Sequence, residues 1–134
     1  MSDKFFTDFA FTPEQVSKNL QNAKRDLGIA RQDTILDVKF TYAYTALIKS
    51  GIALLSHHKL KVRSIPGHHI KLIEKLTEML GDQAISDLGN AMRLKRNVDL
   101  YAGGTDITAK ECAEYLDFVE GVFLKVSEKM GLPK

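Results

Sequence analysis

The sequence has a single cysteine, no long apolar run and little net charge. Because Cys112 is the single cysteine among 134 residues, an internal disulfide framework is excluded. No apolar stretch approaches the roughly 20 residues that cross a bilayer. The opening residues also lack the basic region and apolar core of a signal peptide. We therefore expect a cytoplasmic protein that has no membrane as a partner.

Internal repeats, low-complexity stretches and linkers are absent as well, and the length suits one compact domain. The net charge is only +2. Any role in nucleic-acid binding must therefore come from uneven placement of the charges rather than from their total.

Aromatic residues crowd the first part of the chain. Residues 1–11 hold four of the seven phenylalanines, which are Phe5, Phe6, Phe9 and Phe11. Four aromatic side chains are poorly suited to water, so this N-terminal arm is predicted to pack on the body or on a second subunit. Residues 12–134 are predicted to form a single helical domain.

Helical patterns fill that domain. Thr12 and Thr108 each begin a capping box, Gly28 is a plausible helix stop, and Gly81 closes a tight turn. No stretch reads as a convincing strand, because the alternating run at 59–63 is short and bounded by loop signals. The predicted fold class is all-α, an up-and-down antiparallel bundle of four to five helices.

Alternating helices would place two basic stretches at one end of the bundle. The segment 57–71 contains all four histidines and no acidic residue, and helix four adds further basic side chains. Together with the free N–H groups of two helix starts, they predict a phosphate or nucleic-acid site. Its candidate residues are Lys59, Lys61, Arg63, His68, His69, Arg93 and Lys95. The alternative is a solvated surface whose basic residues only compensate the negative end of a helix dipole.

The histidine pairs do not predict a metal site. Each of His57-His58 and His68-His69 could direct only one imidazole to a shared ion. No carboxylate or cysteine lies near them in sequence to complete a tetrahedral set. We expect neither a metal nor a cofactor.

A second set of candidates lies on one row of helix four. Arg93, Asn97 and Tyr101 follow one another at one-turn spacing, while Arg96 lies beside the row within reach of Asp99. The planar guanidinium group of Arg96 has the geometry to bind a phosphate group. The alternative is an ordinary surface ion pair beside a bundle-end tyrosine.

The stretch "LKRNVDLY" resembles the motif of HEPN domains, which are small helical bundles. Their fourth helix carries an arginine, a polar residue and, about four to six positions after the arginine, a histidine. The region from "DVKFTYAY" to "LTEMLG", with its basic "VRSIPGHH" connector, is also similar to stand-alone HEPN-like proteins. The similarity covers roughly residues 12–126.

This resemblance implies a homodimer with facing motifs and, in catalytic members, metal-independent cleavage of RNA. Many such members are toxins whose partner is a nucleotidyltransferase-like antitoxin. Arg96 and Asn97 match the motif, whereas Tyr101 stands in place of the histidine. Tyrosine has a reference pKa of about 10 and is a poor base at neutral pH.

We therefore expect Arg96, Asn97 and Tyr101 to bind RNA or a nucleotide, with little catalysis. The alternatives are a toxin-type ribonuclease that uses these three residues catalytically, and a docking protein for a nucleotidyltransferase-like chain.

Overall fold

The computed structural model of the protein describes residues 4–101 and 107–131, apart from the side chains of residues 98–101. Its helices are α1 (Pro13–Gln32), α2 (Leu36–His57), α3 (His68–Leu80), α4 (Gln83–Tyr101) and α5 (Ala109–Met130). Two three-residue strands, β1 (Phe6–Asp8) and β2 (Leu60–Val62), form an antiparallel pair. The prediction of an all-α helical bundle is confirmed.

Local signals explain where most helices begin and end. Both predicted capping boxes are present: the hydroxyl of Thr12 accepts from the N–H of Gln15, and that of Thr108 from the N–H of Glu111. Gly81 ends α3 with a φ of 62°, a left-handed conformation that glycine adopts without strain. Gly28 does not stop α1, which continues to Gln32.

Helix α2 lies at the centre of the described chain and packs against every other helix. Helix α1 runs antiparallel to it, since Lys39 reaches the carbonyl oxygen of Ala30 while Lys49, farther along α2, reaches back to Asp26. The fully buried core side chains include Leu27, Leu47, Leu54, Val119 and Val126. Ile70 of α3 and Leu88 of α4 are large apolar side chains that lie exposed outside this core.

Helix α3 begins beside the middle of α2 rather than beside its C-terminal end. His69, at the start of α3, forms a hydrogen bond with Tyr44, and Leu72, farther along α3, packs over Gly51, farther along α2. In this region the two helices therefore run in the same direction. A Cβ at Gly51 would lie 3.2 Å from Leu72 side-chain carbons, so a larger residue would require Leu72 to shift by a few tenths of an ångström. The connector between the helices therefore runs back along α2.

The aromatic arm supplies the second strand for this connector. In the register of the pair, Phe6 faces Val62 and Asp8 faces Leu60. Phe5 is buried, whereas Phe9 is 41% exposed. The alternating run 59–63, which showed no convincing strand in the sequence, thus contains the strand β2 at Leu60–Val62 because a distant segment pairs with it. None of the described helices has the length and apolar composition that a membrane crossing needs.

Candidate anion-binding site

The first turn of α3 and the second half of α4 meet at a buried tyrosine of α2. Tyr44 has no exposed surface, and its hydroxyl lies 2.9 Å from Nδ1 of His69. The guanidinium carbon of Arg96 lies 5.5 Å from the centre of the Tyr44 ring, within the range of a cation–π contact. We call Tyr44, His68, His69, Arg93 and Arg96 the Tyr44 cluster.

The chain turn before α3 places the two histidines of this cluster. Gly67 caps the helix with a φ of 85°, a left-handed conformation that suits glycine. Nδ1 of His68 lies 2.8 Å from the carbonyl oxygen of Ile65. A carbonyl only accepts, so this nitrogen carries the proton, and Nε2 of a neutral His68 ring has a free lone pair. The His68 and His69 rings are 4.4 Å apart.

Burial fixes the protonation of Tyr44. It raises the pKa of Tyr44 to about 12, although the positive charges of Arg96 and Arg93 act in the opposite direction. The phenol is therefore neutral at pH 7 and keeps its proton. Since His69 is the hydrogen-bond partner of this hydroxyl in the structure, we assign the O–H as donor and Nδ1 of His69 as acceptor.

The same surroundings keep His69 neutral. The pKa of His69 is lowered to about 4. Burial is the largest cause, and electrostatic repulsion from His68, Arg96 and Arg93 adds to it. With Nδ1 accepting from Tyr44, the remaining proton of the ring is on Nε2. The permanent positive charges of the Tyr44 cluster are consequently those of its two arginines.

Both arginines are oriented by neutral groups. Arg93 donates through Nε to the side-chain oxygen of Asn90 at 3.2 Å, and Arg96 lies over Tyr44. No ion pair joins either arginine to a carboxylate among the described side chains. Lys95 differs, because its Nζ lies 3.6 Å from a carboxylate oxygen of Glu111 on α5.

None of the family models, curated proteins and solved structures compared with this chain matches it.

The predicted site residues fall into separate groups. His68, His69, Arg93 and Arg96 share the Tyr44 cluster, whereas the exposed Lys59, Lys61 and Arg63 lie on or beside β2. The ammonium of Lys61 lies 5.1 Å from the centre of the Phe9 ring.

The other histidine pair lies far from the Tyr44 cluster. His57 is thirteen residues after Tyr44 on the same helix, which is about 20 Å at 1.5 Å per residue. The expected meeting of all of residues 57–71 at one end is therefore wrong, because the connector runs back along α2. Among the described residues, no group of three metal-ligating side chains comes together.

The row along helix four is described only in part. Asn97 is half-buried on α4, one residue after Arg96. The side chains of Asp99 and Tyr101 lie outside the described residues, and so do Gly103 and Gly104, which follow in the sequence. The predicted Arg96–Asp99 pair and the role of Tyr101 remain predictions.

Sequence reasoning missed Tyr44 as the centre of the site. Its position in an apolar stripe of α2 gave no sign of a polar role, since buried tyrosines are common in helical cores. The one available signal is its hydroxyl, which needs a hydrogen-bond partner when buried. Only the three-dimensional position of α3 identifies that partner as His69.

Proposed function

We propose that this protein binds RNA or a nucleotide through the phosphate groups, using Arg93 and Arg96 of the Tyr44 cluster, without efficient catalysis. One observation carries the proposal: two arginines lie beside a buried, neutral Tyr44–His69 pair and form no described ion pair with a carboxylate. A positive site whose described neighbours supply no counter-charge is suited to an external anion.

Arginine chemistry favours phosphate as that anion. The planar guanidinium can bind two phosphate oxygens at once, and its contact with Tyr44 limits its motion before binding. Helix α3 supports the same choice, since its N-cap Gly67 provides no side-chain cap and its first turn has no acidic residue. Free N–H groups at such a helix start favour anions.

RNA and nucleotides are preferred over other phosphate compounds because of the resemblance to HEPN domains. Arg96 and Asn97 occupy matching motif positions. Asn97 can donate to and accept from a ribose hydroxyl.

The protonation of the site explains why little catalysis is expected. General acid–base cleavage of RNA works best with groups whose pKa lies near the working pH. His69 has a pKa of about 4, so at pH 7 it is a weak base and almost never the protonated acid. Tyr101, at the motif's histidine position, has a reference pKa of about 10.

Binding can be tested with a labelled single-stranded RNA and with ATP as a nucleotide probe, by fluorescence anisotropy and competition. Replacing both Arg93 and Arg96 by glutamine should weaken RNA binding by at least about tenfold, since each charge-assisted contact contributes about 1.5 kcal/mol or more. A matched control removes two exposed positive charges elsewhere, Lys18→Gln with Lys129→Gln. Equal loss in both double variants would contradict the site.

A metal-independent ribonuclease is the second candidate, and His68 is the observation that favours it. Its Nδ1 donates to the Ile65 carbonyl, so Nε2 is the ring nitrogen that is left to contact RNA. End-labelled RNA incubated with EDTA should stay intact with the native protein. Cleavage that disappears in both His68→Ala and Arg96→Ala would place this second candidate first.

The motif itself can be tested in the same cleavage assay. Tyr101→His restores the histidine of the HEPN motif, so it should create or raise metal-independent cleavage if His is what the site lacks. Adding Arg96→Ala to that variant should abolish the new activity. Robust native cleavage that Tyr101→Phe removes would show that tyrosine itself performs the chemistry.

A further inference from the structure

A cavity of about 310 Å³ lies between α1, α2, α3 and β2, and both His68 and His69 form part of its wall. Apolar side chains supply most of its wall, and they include Ile48, Ile52, Val62 and Leu72. Its volume is at the small end of the range for small-molecule pockets. The cavity therefore suits a compact molecule with a mainly apolar body.

A few polar groups lie along the same wall. Asn19, Lys61, Ser64 and His68 all line the cavity, and no aspartate or glutamate is among the described residues around it. The structure gives no hydrogen bond to the Asn19 amide or the Ser64 hydroxyl among the described residues. Lys61 likewise has no described carboxylate partner. This lining favours a ligand whose polar end accepts hydrogen bonds and carries negative charge.

We propose that this cavity binds a small monocarboxylic acid. Its apolar body would lie against the apolar wall, and its carboxylate would face Lys61, Ser64 and Asn19. This inference does not rest on the proposed RNA binding, because neither Arg93 nor Arg96 lines the cavity.

The N-terminal arm covers part of the cavity. Phe11 of the arm forms part of the wall, and the arm is joined to β2 by strands of only three residues each. Two-stranded pairs of this size have little stability of their own. Local opening of the arm would expose the cavity without unfolding the helical core.

The experiment compares three eight-carbon probes, octanoate, octanol and octylamine, by titration calorimetry on the full chain. Octanoate should bind saturably with one molecule per chain, and more tightly than the neutral or cationic probe. Absence of saturable octanoate binding, or equal binding of octanol, would overturn the proposal.

Two variants locate the binding. Ile52→Phe places a larger side chain at the half-buried wall and should weaken octanoate and octanol alike. Lys61→Met changes an exposed residue and should weaken octanoate alone by about fivefold, which corresponds to about 1 kcal/mol for a partly exposed charge pair.

Lys129→Met, an exposed site on α5, is the matched control. Octanoate affinity that Lys61→Met leaves unchanged would refute the carboxylate contact, even if Ile52→Phe fails to fold.

Discussion

Stability should depend on pH through His69, and the structure sets both the sign and the size of the effect. The pKa of His69 is about 4 in the folded protein, against 6.5 for an unperturbed histidine. Between these values the unfolded chain binds more protons than the folded one, so protonation favours unfolding. The contribution of a neutral His69 is fully present above about pH 6.5 and is lost as the pH falls toward 4.

Lowering the pKa of His69 from 6.5 to about 4 can change the free energy of unfolding by at most about 3.4 kcal/mol, at about 1.36 kcal/mol for each pH unit. His69 is only half-buried, so solvent screens part of this effect. We expect about 1–2 kcal/mol in the free energy of unfolding.

Urea denaturation of the native protein and His69→Gln at pH 7.0, 5.5 and 4.5 would measure this contribution. Carboxylates and the other histidines titrate in both proteins, so the difference between the two pH profiles isolates residue 69. The native protein should lose about 1–2 kcal/mol more than the variant over this range. Superimposable profiles would refute the assigned burial and neutrality of His69.

Three further predictions concern Tyr44, the buried carboxylate and the association of chains. In a spectrophotometric titration, one of the four tyrosines should stay protonated beyond pH 11, and Tyr44→Phe should remove that step, because burial raises the pKa of Tyr44 to about 12. Asp26 is 1% exposed and lies 2.7 Å from the Lys49 ammonium, so Lys49→Met should destabilise the fold by about 2–3 kcal/mol in urea denaturation. Replacing Asp26 by leucine in that variant should recover part of the loss, and no recovery would count against a charge effect. Leu94 is 56% exposed beside Arg93, and we expect a second chain to cover this apolar side chain in a homodimer. Light scattering should therefore give twice the chain mass of 15.0 kDa. A mass of 15.0 kDa at all concentrations would argue against the dimer.

Three of the helix limits could be predicted because their signals are local. The hydroxyl groups of Thr12 and Thr108 each accept a hydrogen bond from the backbone N–H three residues later, which begins a helix. Gly81 ends α3 by adopting the left-handed conformation. The prediction at Gly28 was wrong because a glycine in αR conformation does not end a helix whose apolar face continues to the buried Ala30.

The path of the connector could not be predicted, since it depends on contacts between distant parts of the chain. β1 and β2 are separated by α1 and α2, and neither strand has a local signal for pairing. This pairing carries the connector back along α2 and brings His68 and His69 to the Tyr44 cluster, while His57 stays at the other end. Arg96 was proposed from its resemblance to the HEPN motif, which stays a prediction, and its contact with Tyr44 could not be predicted because it depends on the fold.

The salt dependence of RNA binding tests the phosphate site most directly. Each phosphate contact to a single strand contributes about 0.7 to the slope of log affinity against log salt concentration. If Arg93 and Arg96 each neutralise one phosphate, replacing both by glutamine should reduce the magnitude of that slope by about 1.4. An unchanged slope, or native RNA binding that does not respond to salt, would contradict the account.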